Sequence, residues 1–174
     1  SKAFDRVWHN GLIFKLQTYG ISGKLLQWFK SYLSHRSQKV MYKDLLSTKC
    51  DISSGVPQGS VLGPLLFLIY VNDVAENMLS ICRLFADDSS LQQSLYNMFD
   101  IEYKLNHDLQ VLEAWSNMLL LKFNPSKTKV VYFSRNANAI APKLFFQGDR
   151  LECVPVHRHL GLLLSHNLSW SEYI

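Results

Sequence analysis

Apolar positions change spacing several times along the 174 residues, and each change marks an element. Trp8, Leu12, Leu16 and Tyr19 recur at helical spacing, with Gly20 placed to end that helix. Leu25, Phe29, Tyr32 and Leu33 continue as a second helix after Ser22-Gly23. Residues 38–42 and 46–52 are strand candidates joined by the polar pair Lys43-Asp44, and 53–60 is a turn-rich loop. Pro64 then suits the first turn of a helix running through Leu68 towards Asn72, where its missing N–H is no loss. Residues 79–86 read as a strand, Asp87-Asp88 as a turn and 89–92 as a returning strand. Ile101, Leu105, Leu109, Leu112, Ser116 and Leu119 predict the clearest helix, which Asn124-Pro125-Ser126-Lys127 breaks. Residues 128–134 alternate as a strand, 144–147 and 151–154 flank Gly148-Asp149 as a hairpin, and 159–165 form a further short strand. Helices and hairpins mixed in this order predict an α+β fold with an antiparallel sheet.

The length suits one domain, and 48% apolar residues exclude a wholly disordered chain. The longest apolar run, 61–71, contains Gly63 and Pro64 and is too short to span a bilayer, which takes about 20 residues. No basic segment followed by an apolar run opens the chain, so secretion is not expected. A start at Ser1 rather than Met points to a piece of something longer. Cys50, Cys82 and Cys153 lie far apart, which argues against a disulfide framework or a zinc site and fits a reducing compartment. Trp8, Trp28, Trp115 and Trp170 could stack on bases but read as core.

The net charge of +4 conceals a gradient. Residues 1–50 balance at +7, residues 51–100 at −5 and residues 101–174 at +2. A basic first third would favour a polyanion, an acidic middle would hold cations, and a merely uneven solvated surface would look the same.

Two segments carry candidate chemistry. In Leu84-Phe85-Ala86-Asp87-Asp88, two carboxylates share one tight turn after an apolar strand. Their repulsion is relieved by a divalent cation with oxygen ligands, or simply by water if the turn is solvated. In Ser54-Gly55-Val56-Pro57-Gln58-Gly59-Ser60, glycines on each side of Pro-Gln permit close approach to a ligand. Gln58 can hydrogen-bond a base or sugar edge, and the downstream helix N-terminus would face a phosphate; the same loop could be an ordinary turn.

Ser1-Lys2-Ala3-Phe4-Asp5-Arg6-Val7-Trp8-His9, then Ser54 to Ser60 continuing as Val61-Leu62-Gly63-Pro64-Leu65-Leu66-Phe67, then Phe85-Ala86-Asp87-Asp88, resemble in order and spacing a reverse transcriptase. The pattern is that of non-LTR (LINE-type, jockey-like) retrotransposon polymerases. Asn124-Pro125-Ser126-Lys127-Thr128 and His159-Leu160-Gly161 extend the resemblance over nearly the whole chain. It implies that residues 1–174 are a partial reverse transcriptase domain: a palm with part of the fingers, the thumb beginning near Leu168, and fingers and thumb truncated. The palm would be an antiparallel sheet with helices packed on one face.

By the resemblance, Asp87 and Asp88 form the catalytic, metal-binding turn. Phe4 selects deoxynucleotides by packing against the sugar. Gln58 contacts the incoming nucleotide and the template pair, Gly59 the nucleotide, Lys127 protonates the leaving pyrophosphate, and His159, Leu160 and Gly161 grip the primer. The cofactors implied are two Mg²⁺ ions, with Mn²⁺ as a substitute. The partners are an RNA template, a DNA primer, deoxynucleoside triphosphates and the rest of a parent polyprotein, in a nuclear and cytoplasmic ribonucleoprotein with no membrane. The family's first-motif Asp lies four positions before its Ala, which falls ahead of Ser1; Asp5 is a later acid of that motif and not a metal ligand. The expectation is therefore an RNA-directed DNA polymerase whose isolated 174-residue piece is nearly inactive. The alternative is a degenerate or domesticated copy that binds nucleic acid without catalysis.

Overall fold

The first apolar stripe forms α1, His9–Thr18, with Leu12 and Leu16 fully buried. The computed structural model describes residues 3–94, 96–134, 136 and 139–170, so Ser1 and Lys2 of the first motif lie outside the described residues. These residues fall into two compact units. The first comprises Ser1–Glu76, Arg83–Ser90 and Trp115–Leu121; the second comprises Asn77–Cys82, Leu91–Ala114 and Lys122–Ile174.

In the first unit, α1 packs against α2, Gly23–Leu33, and α3, Leu62–Val71. The second helix turns a different face inward from the one expected. Leu26 and Leu33, seven residues apart on one line, are buried, while Leu25 is 54% exposed. α3 is apolar all round but buries only the stripe Gly63, Leu66, Phe67, Tyr70 and Val71, leaving Leu65 and Leu68 exposed. Between α2 and α3, β1 (Arg36–Gln38) pairs antiparallel with β4 (Cys50–Ile52). Within that loop, β2 (Met41–Tyr42) pairs with β3 (Leu45–Leu46). Lys43 and Asp44 turn this inner hairpin with φ of 46° and 63°, the left-handed pair that a two-residue turn requires.

A charged network sits within the same unit. Lys15 of α1 is buried and donates to the Tyr70 carbonyl and the Asp73 carboxylate. Trp115 Nε1 donates to the same Asp73 oxygen at 2.8 Å, and the Tyr70 hydroxyl donates to the Leu119 carbonyl. Burial pulls the Lys15 ammonium below its ordinary pKa despite the Asp73 charge, and burial raises the Tyr70 hydroxyl.

β5 (Ile81–Phe85) and β6 (Asp88–Gln92) form the acidic hairpin. Its turn is Ala86-Asp87, one position earlier than expected, because a two-residue link closes the strands and Asp88 already starts β6. Ala86 takes φ 52°, the positive angle that such a turn needs at its first position.

α4 (Met98–Met118), which lies in the second unit as far as Ala114 and in the first from Trp115, begins three residues before the expected helix and buries Ile101, Leu109 and Leu112 in its second-unit part. Its polar side chains bind backbone. Asp108, with no exposed surface, accepts from the N–H groups of Leu79 (2.7 Å) and Ser80 (2.8 Å). Burial raises the Asp108 pKa, but hydrogen bonds from Ser80, Leu79 and His107 outweigh it and hold the carboxyl below its usual range. Glu102 accepts from Lys143 N–H at 2.7 Å; Asn106 donates to the Lys143 carbonyl and accepts from Phe145 N–H at 2.9 Å.

The remaining strands are short. β7 (Lys129–Val130) is all that forms of the expected 128–134 strand, and it pairs parallel with β10 (Glu152–Cys153) across a connection long enough for a crossover. β8 (Phe145–Phe146) and β9 (Asp149–Arg150) turn at Gln147-Gly148, a residue before the expected Gly148-Asp149. The expected strand 159–165 is a hairpin, β11 (Val156–His159) with β12 (Leu162–Ser165). Mixed helices and strands are thus present as expected. In place of the expected single antiparallel sheet, the described strands pair only two by two, one pair of them parallel; eight of the twelve have just two or three residues and so few positions left to pair a second neighbour. Only Trp115 of the four tryptophans is core; Trp8, Trp28 and Trp170 are 38%, 48% and 65% exposed. Among the described residues no helix is long and apolar enough to cross a membrane.

Candidate active site

The loop before α3 is bonded to the segment before α1, and that bonding builds a cleft. Gly55 N–H donates to the Val7 carbonyl at 2.8 Å and Val56 N–H to the Phe4 carbonyl at 2.9 Å. The Ser54 hydroxyl adds a bond to the Asp5 carbonyl, and His9 Nε2 donates to the Gly55 carbonyl at 2.7 Å. The approach is close enough to demand glycine: a Cβ at Gly55 would lie 2.8 Å from the Asp5 Cα, and φ there is +92°. Ser60 steadies the other end, donating to the Pro57 carbonyl and accepting from Gly63 N–H at 3.0 Å.

Phe4, Asp5, Pro57, Gln58, Gly59 and Asp87 are among the residues lining the resulting cleft of about 530 Å³, a size that suits a small ligand. Phe4 does not hang free. Its ring stacks on Phe67 of α3, centroids 4.2 Å apart and 15° from parallel, so buried Phe67 fixes one wall. Gln58 is oriented as well: its Nε2 donates to Asp5 Oδ1 at 2.6 Å, leaving the amide oxygen to accept from a ligand. The part played by Asp5 was missed in the sequence, although the adjacent Phe4-Asp5 in a single 3-10 turn, Phe4–Arg6, puts both side chains at one edge.

The structure therefore brings Phe4, Gln58, Gly59 and Asp87 to one place, from three separate stretches of chain. Asp88 follows at the start of β6, is exposed, and is not among the lining residues. Lys127 and the turn Leu160-Gly161 after His159 belong to the second unit. Lys127 ends the 3-10 turn Pro125–Lys127, which Asn124 caps by accepting from Ser126 N–H at 3.1 Å. Leu160 and Gly161, at φ 48° and 86°, form the β11–β12 turn.

Among the described residues no three His, Cys, Asp or Glu side chains gather as a metal cage. Asp87 nevertheless lines the cleft with an exposed carboxylate that has no hydrogen-bond partner among them, whereas Asp5 Oδ1 is engaged by Gln58. Mg²⁺ commonly takes one or two carboxylates together with water and substrate phosphates, so the free Asp87 carboxylate fits one ligand of such a site.

A chain with this cleft is a member of a known class. The family described as reverse transcriptase (RNA-dependent DNA polymerase) matches residues 1–161, and the chain belongs to it. Over 99% of its length it is 30% identical to the probable RNA-directed DNA polymerase from transposon BS of Drosophila melanogaster, and equally to that from transposon X-element of the same fly. It is also 30% identical, over 99% of its length, to the RNA-directed DNA polymerase from mobile element jockey of Drosophila funebris. The chain spans about a fifth of the length of these relatives: 20%, 19% and 20%.

Proposed function

We propose that this chain is the nucleotide-handling palm segment of an RNA-directed DNA polymerase of the non-LTR retrotransposon type. It would join deoxynucleotides to a DNA primer along an RNA template. The observation that supports this best is the convergence of Phe4, Gln58 and Asp87 on one cleft. In the reaction the primer 3′-oxygen attacks the α-phosphorus, pyrophosphate leaves, the hydroxyl gives up its proton and the leaving oxygen gains one. Phe4, backed by Phe67, would occupy the space that a ribose 2′-hydroxyl needs. Gln58, held by Asp5, would accept from the incoming nucleotide, and Gly59, at φ +76° with no Cβ, would let that nucleotide lie against backbone. Divalent ions, when bound, would neutralise phosphate charge and activate the hydroxyl, and Asp87 is the described residue best placed to hold them. Asp88 would support that site, Lys127 would protonate pyrophosphate, and His159 with Leu160 and Gly161 would hold the primer.

The test is primer extension on an RNA template with Mg²⁺, using a protein extended to the length of the relatives. Extension is expected, and Asp87→Ala should abolish it while retaining nucleic-acid binding, because positioning and charge neutralisation dominate phosphoryl transfer. A long protein that binds RNA but extends no primer would favour the non-catalytic copy. An Asp87→Ala variant that extends normally would make the acidic hairpin a solvated turn.

A further inference from the structure

The exposed face of α2 carries an ordered stack that the cleft does not use. Lys24, Trp28 and Tyr32 follow one another at four-residue spacing and so share a line on the helix. The rings of Trp28 and Tyr32 are 5.2 Å apart and 15° from parallel. Arg36 completes the line: its guanidinium carbon is 4.7 Å from the Tyr32 centroid, and its Nε donates to the Tyr32 carbonyl at 2.6 Å. The buried residues Leu26 and Leu33 lie on the opposite side, and Trp28 is 48% exposed. The line reads cation, ring, ring, cation, and its last three members are held by their own contacts before anything binds. From Arg6 to Lys43 the chain holds seven Lys and Arg and no acid. Among the described residues no carboxylate pairs with Lys24 or Arg36.

We propose that Lys24, Trp28, Tyr32 and Arg36 form a platform for single-stranded nucleic acid, the unpaired part of the template in the polymerase reading on which this inference rests. A base would stack on the exposed part of Trp28, while Lys24 and Arg36 neutralise flanking phosphates. The absence of acids in this stretch favours a polyanion over a second protein surface.

The test titrates a labelled single-stranded RNA oligonucleotide, and an RNA duplex of equal length, into the 174-residue chain at low salt. Trp28→Ala should weaken single-strand binding about tenfold. Trp28→Phe should restore most of it. Duplex binding should change little, because paired bases are already stacked. Lys24→Ala should flatten the salt dependence of binding, since one phosphate contact is lost. Unchanged single-strand binding by Trp28→Ala, with the unsubstituted chain binding RNA, would overturn the platform and leave the polymerase reading standing. Equal losses for Ala and Phe, or equal losses for duplex and single strand, would also overturn it. A chain that binds neither RNA would overturn the platform, while the polymerase reading is decided separately by primer extension with the long protein. If Trp28→Ala instead abolished self-association of the chain, the stack would be a protein interface.

Discussion

The two units use buried polar groups in opposite ways. In the first, Lys15, Asp73, Tyr70 and Trp115 are linked among the helices, with Asp73 partly open to water, and the cleft segments are tied together by backbone hydrogen bonds. In the second, the polar side chains of one helix reach out to loop backbone: Asp108 to residues 79 and 80, Glu102 and Asn106 to residues 143 and 145. The first arrangement leaves the cleft segments bonded to one another beside a satisfied polar network. The second makes one helix the scaffold for loops that cannot complete a sheet among themselves. A buried carboxylate serving two backbone N–H groups has more to lose than a pair with some access to water.

The largest loss is expected at Asp108. Asp108→Ala leaves the Leu79 and Ser80 N–H groups without their acceptor and should cost about 3 kcal/mol in chemical denaturation. Asp108→Asn should cost less, because its amide oxygen still accepts. A loss below 1 kcal/mol would mean that Asp108 is incidental. The same carboxyl makes the stability of the chain depend on pH. Its folded pKa lies below the unfolded value of 3.8, so its stabilisation is present above that value and is lost as pH falls through the lower, folded one. Unfolding titrations of the Asp108→Asn variant should lose that part of the acid dependence.

In the first unit, Lys15→Ala should cost about 2–3 kcal/mol, because the Tyr70 carbonyl loses its donor and Asp73 keeps only the Trp115 N–H and no counter-charge. Lys15→Met should recover part of this, since its unbranched chain refills the volume without a charge to desolvate. If Lys15→Met were as damaging as Lys15→Ala, the charge and not the packing would be what this unit needs. The smallest effect is expected at the β2–β3 turn. Replacing Lys43-Asp44 with Asn-Gly should stabilise the chain by up to about 1 kcal/mol, because both positions have positive φ. No gain in thermal unfolding would show that this exposed hairpin is uncoupled from the rest.

Much of the first unit was legible in the sequence, because its signals are local. Leu12 and Leu16 repeat at helical spacing, Gly55 and Gly59 bracket Pro-Gln, and Pro64 marks the first turn of α3. What failed there was fine orientation: α2 turns Leu26 rather than Leu25 inward, and Trp28, expected in the core, is half exposed. The partner of Gln58 was hidden because Asp5 and Gln58 are 53 residues apart. In the second unit, Asp108 shares the apolar stripe of Ile101, Leu105 and Leu112, and a carboxylate on a buried stripe is a signal for backbone N–H groups nearby. The strands read least well, since two-residue pieces such as β7 carry no alternation to detect.

The claim on which the account turns is that the first segment, the Pro-Gln loop and the acidic hairpin form one nucleotide site. Phe4 tests it most directly, because no other part of the account requires that ring to touch a sugar. In the long, active version of the protein, kcat/KM should be measured for a deoxynucleotide and its ribonucleotide counterpart, in the unsubstituted protein and in Phe4→Val. A smaller side chain opens room for the 2′-hydroxyl, so discrimination should fall by at least about tenfold while deoxynucleotide addition persists, tenfold being only about 1.4 kcal/mol of differential transition-state stabilisation. An unchanged ratio, with deoxynucleotide addition intact, would mean that Phe4 does not face the nucleotide and that the cleft is not the site.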